Sequence, residues 1–165
     1  MRIRSPRGVW GSEARLSVQA IPRAMWGDNA RRAVGAAEWD RLRRAVYRRA
    51  GWRCEVCGAA GELHCHEVWA FDEAGGVQRL VRLEANCARC HRVRHIGRSR
   101  RAGLGAEALA HLQAVNGWTS AQAERHVREA LGQWRHRPLR RWRLDLTVLG
   151  ARGEAAPAPP SGAPE

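Results

Sequence analysis

Residues 54–57 read CEVC, 62–69 read ELHCHEVW and 86–95 read NCARCHRVRH, so two cysteine pairs bracket a histidine-rich stretch. Each C-x-x-C brings two thiols to one side of a tight turn, and two pairs complete a tetrahedral thiolate shell for Zn²⁺. Cys54, Cys57, Cys87 and Cys90 are therefore read as the ligands of one structural zinc. Four sulfur ligands leave no open coordination position, so this ion holds a fold and does not react. The interval 58–86 is longer than the roughly 15–20 residues that separate the pairs of a simple zinc ribbon. A further substructure is built into it. CARCH (87–91) also matches a c-type haem attachment pattern, but that chemistry needs export, and MRIRSPRGVW (1–10) has no apolar run behind its basic start. A redox C-x-x-C would sit beside a βαβ pattern, which this chain lacks.

Outward from this frame, EWDRLRRAVYRRA (38–50) places Trp39, Leu42 and Val46 at helical spacing, with Gly51 as a stop. Residues 63–69 alternate as a short strand. DEAGG (72–76) is a turn signal, and VQRLVRL (77–83) is the returning strand. Residues 88–96 read as a helix with His91 and His95 one turn apart. A further helix spans 106–115 and closes at Asn116-Gly117. Thr119 and Gln122 form a capping box that opens another, with Val127, Leu131 and Trp134 on one side and Pro138 at its end. WRLDLTVL (142–149) is a last short strand. Residues 1–35 carry few periodic signals and read as a loose arm. Residues 150–165 are rich in proline, alanine and glycine and read as a disordered tail. The expectation is one α+β domain over residues 36–149.

The chain carries 29 basic residues, all arginine, against 16 acidic ones, for a net charge of +13 and a pI near 11.4. Such a charge implies an anionic partner, most often nucleic acid. The arginines are spread along the chain and not gathered on one amphipathic helix, which argues against a membrane surface. No stretch approaches the roughly 20 apolar residues of a membrane span. A cytoplasmic setting with reduced thiols is expected, where cysteines point to metal. The arginine runs RLRR (41–44), RSRR (98–101) and RHRPLRR (135–141) are solvated faces or phosphate contacts, with at least one of them on phosphate. Trp39, Trp69 and Trp134 are expected in the core, and Trp52 over the zinc.

Across roughly residues 38–98, the order C-x-x-C, strand ending in His, turn, second strand, then C-x-x-C-H opening a helix resembles the HNH endonucleases of small bacterial and phage type. The resemblance implies a ββα-metal (His-Me finger) core stapled by structural zinc, with an N-terminal helix and additional C-terminal helices. It implies hydrolysis of phosphodiester bonds in nucleic acid, DNA ahead of RNA. His66 then takes the position of the general base, a role an imidazole fills because its ordinary pKa lies near 6.5. His91 takes that of a ligand for a catalytic divalent ion, Mg²⁺ in most of the family, with Zn²⁺, Mn²⁺ or Ni²⁺ as alternatives. His95 would add a ligand or a phosphate contact, and His64 shares the strand face of His66 by alternation.

The chain departs from the family in two places. Cys65 stands where many members have His or Asp, so it is either a packing residue or the mark of a thiophilic ion. Asn86 abuts Cys87, and Arg82 occupies roughly the place of the family's asparagine. The same features suit an alternative, a non-catalytic zinc-stabilised nucleic-acid-binding module. His111, His126 and His136 read as ordinary surface or hydrogen-bonded residues, and Glu67 and Asp72 as solvated.

Overall fold

Alternating side chains on either side of DEAGG produce an antiparallel hairpin, β1 (Leu63–Asp72) and β2 (Val77–Cys87). The computed structural model describes residues 14–137 and 142–150. Asp72 closes the hairpin turn by accepting the N–H groups of Ala74 and Gly75 on Oδ1. A Cβ at Gly75 would stand 2.5 Å from Asp72 Oδ2, so a larger residue there would displace the Asp72 carboxylate that closes the turn. His66 faces Glu84 across the ladder and His64 faces Asn86. The register slips between Val68 and Trp69, a bulge that opposes Trp69 to Leu80. β3 (Arg143–Asp145) joins β2 in parallel, giving a three-stranded sheet in the order β1-β2-β3.

The helices are α1 (Ala30–Val34), α2 (Ala36–Arg49), α3 (Ala88–Arg94), α4 (Ile96–Arg101), α5 (Gly105–Asn116) and α6 (Ser120–His136). The capping box of α6 is present: Thr119 accepts the Gln122 N–H, and the Gln122 side chain accepts the Thr119 N–H. The chain is thus α+β. Two apolar clusters divide it. Trp39, Val46 and Tyr47 of α2 pack with Trp69, Leu80, Leu83 and Ala85 of the sheet. Cys54, Cys87, Cys90 and Val93 pack with Leu112, Val127 and Leu16.

Four expectations are corrected. From Ala14 on, the presumed loose arm is a strap. Leu16 is fully buried, its N–H donates to Asn116 Oδ1, Val18 N–H donates to His126 Nε2, and Gln19 N–H donates to the Arg94 carbonyl. A strap held by backbone hydrogen bonds to distant side chains has no periodicity to read. β2 runs on past Leu83 to Cys87, and Glu84, Ala85, Asn86 and Cys87 are all buried. The expected helix over 88–96 breaks at His95 (φ −110°, ψ 44°) into α3 and α4. The last strand is only Arg143–Asp145 and gives way to a 3₁₀ turn at Thr147–Leu149. The predicted tail beyond Gly150, the arginines at 140 and 141 and Pro138 lie outside the described residues.

The polar end of β2 is buried because it is paired. Glu84 Oε1 accepts from Arg94 Nη2 at 2.6 Å and from Asn86 Nδ2 at 2.9 Å, while Arg82 donates to Oε2. Burial pushes the Glu84 carboxyl up, but Arg94 and the hydrogen bonds from Asn86 and Arg82 outweigh it and hold it below its ordinary 4.5. A carboxylate with a depressed folded pKa stabilises fully above the unfolded value and loses that contribution as pH falls through the folded one. Stability is therefore expected to fall below about pH 4.5, and less steeply in a Glu84→Gln protein. At neutral pH Glu84→Gln strands Arg94 and should cost roughly 3–5 kcal/mol in urea unfolding, with full zinc content retained as the folding control.

Candidate functional site

The cysteine frame assembles at the corner where β2 becomes α3. Cys87 ends the strand and is the N-cap of α3, and Cys90 lies within that helix. The 54–57 knuckle is fixed by Gly58 N–H to the Cys54 carbonyl and Cys54 N–H to the Ala59 carbonyl. It docks on β2 through Glu55, whose N–H donates to the Ala85 carbonyl and whose Oε2 accepts the Ala85 N–H. All four sulfurs lie within 4.8 Å of one another, with Cys54, Cys87 and Cys90 buried, so the cluster can hold a structural ion such as zinc. A hydrogen bond from Cys90 pulls the Cys54 thiol down to about 4 and pushes that of Cys90 up. His111, read as a surface or hydrogen-bonded residue, is hydrogen-bonded, with its Nε2 3.2 Å from Cys90 Sγ. Its distance along the chain hides that partner. Trp52 does not cover the cluster. It is 58 % exposed and rests on Tyr47, ring centroids 6.0 Å apart.

His66 meets His91 and His95 in space although 25 and 29 residues separate them in sequence. The ligand nitrogens of His66 on β1, His91 on α3 and His95 at the α3–α4 break lie within 4.8 Å of one another. Ring centroids are 5.6 Å apart for His66–His91, 5.1 Å for His66–His95 and 4.7 Å for His91–His95. His64 stacks on His91 at 4.7 Å and 3°. His66 is 3 % exposed, and its Nε2 has no hydrogen-bond partner among the described residues. Burial first, then the charges of His95 and Arg94, lowers the His66 pKa well below 6.5. Burial with neighbouring His95 brings His91 to about 3, and burial with Arg98 brings His95 to about 4. Neutral imidazoles with free lone pairs are the form that binds cations.

Cys65, one residue from His66, points to the other side of the sheet and packs with the Trp39 and Tyr47 cluster. Burial, with the Glu67 charge, pushes its thiol up to about 12. It is the packing residue of the two readings. Asn86 is fully buried and its Nδ2 is tied to Glu84, while its Oδ1 has no hydrogen-bond partner among the described residues, and Arg82 also turns to Glu84. Glu67 is taken up by the Arg31 N–H, and Asp72 by the hairpin turn. His126 accepts a backbone N–H from the strap.

The histidines open onto a cleft of about 960 Å³ that follows β1, the edge strand. Arg31, Arg43, Arg98 and Arg101 line it, and Trp26 and Trp134 stand on its wall. The arginine runs separate here. Arg41, Arg43 and Arg44 are paired with Glu38 and Asp40, whereas Arg98 and Arg101 of α4 are exposed at the cleft. No family model, curated protein or solved structure matches this chain. No helix among the described residues is long and apolar enough to cross a membrane.

Metal analysis should find about one zinc per chain in the cysteine cluster, and Cys54→Ser or Cys90→Ser should lose both the ion and cooperative unfolding. His111→Ala should fold, yet release zinc to a chelator about 10- to 100-fold more readily, because the Cys90 sulfur loses its contact with the ring.

Proposed function

We propose that the chain is a metal-dependent endonuclease of the HNH type, acting on DNA. The observation that carries this reading is the convergence of His66, His91 and His95 at the floor of an arginine-lined cleft. The hairpin leading straight into α3 supports it, since that is the order of elements in a ββα-metal core.

A cation fits the chemistry of this floor. His91 and His95 offer two nitrogens side by side, and the group contains no carboxylate. An all-nitrogen donor set suits Zn²⁺ or Ni²⁺ better than Mn²⁺ or Mg²⁺, which prefer oxygen. Held there, a divalent ion supplies charge neutralisation at the scissile phosphate and the leaving oxygen. His66 has a different task. Its Nε2 is neutral, lacks a partner and faces the same floor, so it takes the proton of the attacking water. Glu84 lies opposite on β2 but is locked by Arg94, Arg82 and Asn86, which removes it as a competing base. Arg98 and Arg101 meet the phosphates on either side.

The capture of Arg82 and Asn86 by Glu84 favours the second reading, a zinc-stabilised nucleic-acid-binding module that does not cut. Plasmid incubated with Mg²⁺, Mn²⁺, Ni²⁺ or Zn²⁺ separates the two: binding without nicking under any ion would leave only the module. His66→Ala should keep the fold, both metal loadings and DNA affinity while lowering cleavage by about 10²–10⁴-fold. His91→Ala should lose cleavage together with the second ion but keep the zinc. Loss of that second ion in His66→Ala would instead make His66 a ligand. Arg98→Ala with Arg101→Ala should weaken binding and flatten its salt dependence, because fewer counterions are released. His136, exposed on α6, is the suitable control.

A further inference from the structure

The cleft has a second end that proton transfer does not use. Trp26 follows the 3₁₀ turn Arg23–Met25, and Trp134 lies near the end of α6. Their rings stack at 6.3 Å and 17°, and the Arg23 guanidinium sits 4.6 Å from the centroid of Trp134. Trp26 is nevertheless 55 % exposed, and its Nε1–H donates to the Ile21 carbonyl at 3.3 Å, which fixes the ring plane. A large apolar ring held rigid at a cleft wall and left open to water is a contact surface awaiting a flat partner.

A second, independent observation points to what that partner is. Gln78 of β2 lines the same cleft and is 1 % exposed, yet neither its Oε1 nor its Nε2 has a hydrogen-bond partner among the described residues. Leaving both halves of a buried amide unpaired is costly, so such a group calls for a ligand with a donor and an acceptor side by side. The edge of a nucleobase offers that pair, and its faces offer the stacking surface. The charges agree: Arg31, Arg98 and Arg101 line the cleft and suit the phosphates of the same strand.

We propose that the Trp26–Trp134 end of the cleft seats one unpaired base of a DNA strand, with the Gln78 amide reading its edge. The strand's backbone then continues to the histidines. This rests on the nuclease reading and makes its substrate single-stranded or locally opened DNA, because a base inside a duplex presents no free face to stack upon.

Fluorescence anisotropy on the full zinc-loaded chain, with no other divalent ion added, tests it using a labelled single strand and its duplex. Trp26→Ala should weaken single-strand binding by about tenfold to a hundredfold and leave duplex binding unchanged, and Trp26→Phe should restore most of the loss. An abasic position moved along the strand should give a comparable loss at one place only, and no further loss there in Trp26→Ala. Gln78→Met should fold at least as stably as the parent and lose the preference for base identity at that place. A flat abasic scan, or Trp26→Ala and Trp134→Ala proteins that bind the strand like the parent, would overturn the subsite even with cleavage intact. If neither strand nor duplex binds, the nuclease reading fails and the subsite with it. A Gln78→Met protein that is less stable and keeps its base preference would remove Gln78 from the reading role.

Discussion

Cys87 is at once the last residue of β2, the N-cap of α3 and a member of the four-sulfur cluster. A strand can leave a sheet and enter a helix at many angles, and a free backbone corner selects none of them. An ion held by Cys54, Cys57, Cys87 and Cys90 would remove that freedom, because all four sulfurs would have to meet at one point. The angle so fixed decides whether His91 and His95, on the helix side of the corner, lie near His66 on the strand side. The knuckle is itself braced on β2 through Glu55 and Ala85, so the corner and the strand move as one body.

A second tie works at the other end of α3. Arg94 reaches back from the last turn to Glu84, directly opposite His66, and also holds Ser17 of the strap. The sulfur cluster fixes the start of the helix and the Glu84–Arg94 pair fixes its end. Burying such a pair is not by itself a strong source of stability, since desolvation offsets much of the attraction. Its effect is one of arrangement. It occupies the carboxylate that faces His66 across the ladder, and the burial of His66 and His91 keeps these imidazoles neutral.

The sequence shows short-range patterns well and long-range partners poorly, and the residues here divide along that line. The cysteine spacing, the hairpin turn and the Thr119 capping box are local signals, and each appears as read. The joining of His66 with His91 and His95 was also legible, because a motif on a strand and one on a helix share a single frame. What was hidden depends on partners far along the chain. Glu84 and Asn86 lay past the expected strand 77–83, because nothing nearby announces that Arg94 will neutralise Glu84 and let the strand run on, buried, to Cys87. The strap at Leu16–Gln19 has no period, since its order comes from Asn116, His126 and Arg94. His111 reaches Cys90 from α5.

The edge position of β1 explains why one cleft can serve two kinds of contact. An edge strand leaves a row of backbone groups without partners and must be covered or put to use. The strap covers part of it: Gln19 Oε1 accepts the Trp69 N–H, and Glu67 is engaged by the Arg31 N–H. The cleft takes the rest, and because it follows an edge it reaches both faces of the sheet. Alternation then assigns side chains without further design. His64 and His66 fall on the face that meets α3, whereas Cys65 and Trp69 fall on the face that packs against α2. The bulge after Val68 shifts β2 by one residue, so Leu80 lies opposite Trp69 and Gln78 opposite Phe71 on that second face. A strand without the bulge would turn Gln78 toward the histidine face.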